Sequence, residues 1–182
     1  MAPPTFDPTH AVTFDLASGR VHLEDAPARV LVPADALAAL ASAAGDDAAR
    51  ALGAAMGAPA GRRAARRLGD ASAATLAAWV EHLGGELALL GLGSLGVERW
   101  GSALVLTFDH CALGDALAAA VLASAFDAAT GKPVQVVPLA RDATRARFLV
   151  TGAAGADKAR GWLAEGVSWG DVLVRLHAGG AA

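Results

Sequence analysis

Between Asp115 and Ala129 the chain reads DALAAAVLASAFDAA, a helix-forming stretch in which only Ser124 and Asp127 interrupt the apolar residues after the first. A surface helix keeps a polar face. This one has almost none, so it predicts a buried helix with other elements layered around it. Gly131 stops it and Pro133 forbids its continuation. The stretch is too short to cross a bilayer, which takes about 20 apolar residues.

The surrounding layers have to come from one domain, because 182 residues suffice for a single compact core. Hydrophobic residues make up 54 % of the chain, yet many are alanines, which favour helix and bury little area each. The formal charge of -3 gives no general attraction to nucleic acid. Cys111 is the only cysteine, which excludes an intrachain disulfide and any all-cysteine metal site within one chain. Residues 1–10 are Pro-rich with no basic region before an apolar run, so they read as a disordered segment and not a secretory signal. Residues 11–178 form the expected single domain, in a cytoplasmic protein without a membrane span.

Val12, Phe14 and Leu16 alternate with polar neighbours, Ser18-Gly19 supplies a turn, and Val21 and Leu23 resume, which predicts a hairpin. RVLV at 29–32 reads as a short strand, and Asp35 opens a helix through Ala44. Two short helices are expected over 47–57 and 61–69, with Pro59 as the break between them. Asp70 or Ser72 then caps a helix carrying Leu76, Trp79, Val80 and Leu83 at i, i+3, i+4, i+7. SLGVERW and SALVLTF form a hairpin about Gly101-Ser102, VQVVPL and ARFLV form another, and two helices close the chain. The order predicts an α+β fold: an antiparallel sheet of about four or more strands packed against a layer of helices.

Gly91, Gly93 and Gly96 have the letter pattern of a dinucleotide loop. That loop needs a strand before it and a helix after it, whereas here a helix precedes and a strand follows. The amides on offer belong to a helix C-terminus, whose dipole repels phosphate, so the glycines read as a helix stop. In Asp109-His110-Cys111, a continued strand would put His110 and Cys111 on opposite faces, which prevents a Cys–His nucleophile. The five histidines, 10, 22, 82, 110 and 177, show no ligand spacing. Gly131-Lys132 lacks the rest of a phosphate loop, and Trp162 and Trp169 read as core or edge packing. Arg62, Arg63, Arg66 and Arg67 make a basic helical stripe, read as a solvated face in preference to an anion- or partner-binding patch.

Several strings together resemble the 4-vinyl-reductase domain, a small-molecule-binding domain related in fold to TRAPP-type trafficking subunits and haem-NO-binding domains. They are GRRAARRLG at 61–69, GLGSLGVERW at 91–100, LVLTFDHCALG at 104–114, GKPVQVV at 131–137 and RARFLV at 145–150. The lead-in of FDLASGRVHL and VLVPADALAAL is similar too, so the resemblance spans nearly the whole chain. In such domains a cysteine commonly ends the second strand, as Cys111 does here. Many members carry two more cysteines around the last hairpin. This chain keeps Phe148 but has Ala146 at one of those places and no cysteine at Leu139-Ala140, which argues against a zinc-dependent version.

The resemblance implies a non-enzymatic domain that binds an apolar or tetrapyrrole-like molecule as a homodimer. The cavity would lie between the sheet and the helix at 115–129, lined by Leu106, Phe108, Cys111, Leu122 and Phe126. No catalytic or metal-ligating residue is assigned, and no cofactor is identified. The alternatives are a dimeric scaffold with a protein partner, in the manner of the trafficking subunits, and an accessory or reductase role in tetrapyrrole synthesis. The last has neither a cofactor loop nor an acid–base pair to support it.

Overall fold

A computed structural model describes residues 6–9, 11–23, 27–69 and 73–179. In chain order the elements are β1 (Val12–Asp15), β2 (Arg20–Leu23), α1 (Ala34–Ala44), α2 (Asp46–Leu68), α3 (Leu76–Leu89), β3 (Ser94–Trp100), β4 (Ala103–Asp109), α4 (Asp115–Thr130), β5 (Gln135–Arg141), β6 (Arg145–Thr151), α5 (Ala153–Ala164) and α6 (Trp169–Gly179). The fold is α+β. Strands β3-β4-β6-β5 make one antiparallel sheet, and β1-β2 a separate two-stranded one.

Strand alternation sends successive side chains to opposite faces, and both faces of the larger sheet are covered. Leu106, Phe108, Val136 and Phe148 pack with α2, α3 and α4, whereas Val105, Val137, Leu139 and Leu149 pack with α5 and α6. The single helical layer expected is therefore one of two. Its core element, α4, is buried as its composition requires, with Leu117, Ala118, Val121, Leu122 and Ala125 at 0–1 % exposure.

The expected break at Pro59 does not occur. One 23-residue helix, α2, runs through it. An interior proline removes a hydrogen bond and costs about 3 kcal/mol in isolation. What offsets it here is close packing. Gly53, Gly57 and Gly61 recur every fourth residue along the face of α2 that lies on the α4 backbone. A Cβ on Gly53 would stand 2.8 Å from the Leu117 carbonyl oxygen, and one on Gly57 would overlap that of Val121. Even the polar interruption in α4 serves this contact, since Ser124 Oγ donates to the Ala54 carbonyl at 3.0 Å.

Three other expectations change. RVLV forms no strand and contributes a single bridge, Val21 to Arg29. The N-cap of α3 is Thr75, whose side chain accepts from the Ala78 N–H at 3.2 Å, while Asp70 and Ser72 lie outside the described residues. Strand β4 ends at Asp109, so His110 (φ 56°) and Cys111 do not continue it. Of the N-terminal segment expected to be disordered, residues 6–9 are described, and the Phe6 N–H donates to Glu81 Oε1 at 3.2 Å. Among the described residues no helix is long and apolar enough to cross a membrane.

Candidate functional site

The candidate lining residues come from three neighbouring elements of the same interior. Leu106 and Phe108 project from β4, Leu122 and Phe126 from α4, and Cys111 sits in the turn between them. All five belong to one apolar cluster with Trp79, Leu83 and Leu87 of α3. Leu106, Phe108 and Leu122 are fully buried and Phe126 is 7 % exposed. Cys111 is half-buried; burial pushes its thiol up, and the thiol faces the Leu113 carbonyl at 3.9 Å. A raised thiol is a poor nucleophile near neutral pH. The five surface clefts described are lined by none of these five residues.

At the α2–α3 side this interior contains buried charge. Arg63 and Arg67 are one turn apart on α2 and converge on Glu86 of α3. Arg63 Nε lies 2.5 Å from Glu86 Oε2, and Arg67 Nε 3.0 Å from Oε1. Glu86 is fully buried and Arg63 is 4 % exposed. Desolvating such ions costs several kcal/mol each, so the two charge-assisted bonds to one carboxylate are what make the burial tolerable. His82 and Trp79, also buried, stand one and two turns earlier on the same face of α3.

Phe6 closes the cluster from outside. Its ring lies edge-on to His82 at 6.3 Å and beneath the Arg67 guanidinium at 4.9 Å. Gly85 makes room for it, because a Cβ there would overlap the ring.

The arginine stripe is thus split. Arg63 and Arg67 serve the buried pair, while Arg62 and Arg66 remain exposed. A fully solvated face is therefore the wrong description, and the reason is a partner on another helix. The sequence held a signal for it: Glu86 falls on the stripe set by Trp79 and Leu83, where an apolar residue is expected.

The remaining motifs fall elsewhere. Gly91 (φ 71°) and Gly93 (φ 107°) join α3 to β3, and a Cβ on Gly93 would overlap the Asp109 carbonyl. Asp109 pairs with Arg145, His177 meets Ser102 at 3.2 Å, and His10 lies outside the described residues. Trp162 packs in the second cluster, and Trp169 meets Trp100 edge-on at 5.1 Å. Among the described residues, no three His, Cys, Asp or Glu side chains form a group able to hold a metal ion.

No protein-family model and no curated protein matches the sequence. Among solved structures, the chain is similar to the phenol-responsive sensory domain of the transcription activator PoxR, crystallised with phenol. The TM-score is 0.61 at 14 % identity, over 85 % of this chain and 90 % of that one. The likeness is one of fold.

Proposed function

We propose that this chain is a non-enzymatic ligand-binding domain of the kind the 4-vinyl-reductase resemblance implies, and that it takes a small aromatic molecule bearing a polar group. The observation that carries the reading is one buried apolar cluster in which Leu106, Phe108, Leu122 and Phe126 pack with Trp79, Leu83 and Leu87 of α3, the helix that also carries the buried Glu86 and His82. A ligand site combines mostly apolar lining with a few fixed polar groups. The PoxR domain, with the same fold, responds to phenol. A monocyclic ring is favoured over a tetrapyrrole, because side chains at 0–7 % exposure yield to a small guest more readily than to a macrocycle.

A second copy of the chain is the proposed cover for the apolar side chains Phe14, Leu16, Val30, Leu31, Val32 and Leu40, which are 53–89 % exposed. Leu31→Lys is then expected to shift sedimentation from dimer to monomer; a wild-type monomer contradicts this part.

The test of binding is a thermal-shift and calorimetric panel of phenol, benzoate, a fatty acid and protoporphyrin. Saturation at about 100 times Kd adds about 2.7 kcal/mol, or a rise of roughly 5–10 °C for a domain of this size. Phenol is expected to give it. If none of the four shifts the midpoint, the scaffold reading gains.

A further inference from the structure

The arginine stripe has an outer half that the interior site leaves unused. Arg62 and Arg66 of α2, together with Arg29 from the segment after β2, line an open cleft of about 660 Å³. Pro27, Pro59, Arg63, Ala65 and Ala128 complete its lining, which among the described residues includes no carboxylate. Arg63 is already held by Glu86, which Arg67 shares. Arg62 and Arg29 differ. Among the described residues, Arg62 makes no ion pair, and the Arg29 Nε is buried with no hydrogen-bond partner. The Arg29 backbone is fixed, its N–H donating to the Val21 carbonyl at 2.6 Å, so its guanidinium is presented from a pinned position.

A buried donor without an acceptor is uncommon in a folded protein and marks a place where a partner belongs. Guanidinium groups match the oxygens of phosphate in bidentate geometry, and two of them balance a dianion. The cleft is large enough for more than an inorganic ion, since small-molecule sites occupy about 300–1,000 Å³.

We propose that this cleft binds a small phosphomonoester. Arg29 and Arg62 hold the phosphate, and the organic remainder rests on Pro27, Pro59, Ala65 and Ala128. Arg63 borders both this cleft and the interior site, but the phosphate is held by Arg29 and Arg62 and the cleft does not depend on the interior being occupied.

Calorimetry at constant ionic strength tests it with inorganic phosphate, n-butyl phosphate and n-butanol. The expected result is one equivalent of n-butyl phosphate bound, more tightly than inorganic phosphate, with no heat from n-butanol. Arg62→Gln and Arg29→Gln should each weaken binding roughly tenfold or more, as loss of a charge-assisted contact does. Arg175→Gln, on α6 across the sheet, should leave it unchanged. Arg62 is exposed, so its variant remains informative even if Arg29→Gln fails to fold. The proposal is overturned if wild-type protein binds neither phosphate, or if Arg62→Gln binds as well as wild type. It is also overturned if phosphatidic acid vesicles are bound while n-butyl phosphate is not, which would make the site a headgroup contact.

Discussion

Replacing Gly57 by alanine sets two effects of opposite sign against each other. In a solvated helix the change favours folding by about 1 kcal/mol, because glycine has more backbone freedom to lose. In α2 the new methyl would overlap the Val121 carbonyl oxygen and lie 2.9 Å from its carbon. Both are backbone atoms of a helix buried in the core, so no side-chain rotation relieves the overlap. The helices must part, which costs the upper end of the 1–3 kcal/mol typical of overpacking, or more. Sterics therefore win, by about 2 kcal/mol, and the melting temperature should fall by about 4–8 °C. Gly161→Ala in α5 is the matched control, for its Cβ would meet nothing within 4 Å. That variant should melt at or slightly above the wild-type temperature. Calorimetric melting of the three proteins checks the reasoning. A Gly57→Ala protein as stable as wild type would show that the α2–α4 approach is not what carries the helix through Pro59.

Other consequences follow from the same geometry. Glu86→Gln leaves the buried Arg63 without its counter-charge and should cost about 3–5 kcal/mol in urea unfolding; a loss under 1 kcal/mol would contradict the buried pair. The hydrogen bonds from Arg145 hold the Asp109 carboxyl below the usual carboxylate range. A folded-state value below the unfolded one stabilises fully above about pH 4 and is lost as pH falls through the folded value. The melting gap between wild type and Asp109→Asn should thus narrow below pH 4, and a gap independent of pH counts against the pair. Burial pushes the Cys111 thiol up, so iodoacetamide at pH 8 should label it more slowly than a free cysteine; faster labelling would point to an activated thiol.

Features legible in the sequence were those set by neighbours along the chain. Both hairpins of the larger sheet show as alternation around Gly101-Ser102 and around 142–144, and the buried helix shows in the composition of 115–129. The glycines at 91 and 93 could be read because the elements on either side give them their meaning. What escaped depends on distant partners. Pro59 reads as a break until Gly53, Gly57 and Gly61 are placed against α4, and nothing local reveals that pairing. Arg63 reads as a surface residue until Glu86 reaches it from another helix, 23 residues on. Leu106, Phe108, Leu122 and Phe126 were legible as apolar positions on β4 and α4, but the buried Arg63–Glu86 pair was not.

The most direct measurement of the binding proposal is a methyl NMR titration of Leu- and Val-labelled protein with phenol. The account predicts shifts centred on Leu83, Leu87, Leu106 and Leu122, which belong to one buried cluster. Shifts confined to Val30, Leu31 and Val32, in the apolar cleft of about 240 Å³ beside the β1-β2 hairpin, would place the ligand outside that interior and contradict it. An unchanged spectrum at saturating phenol would contradict it as well.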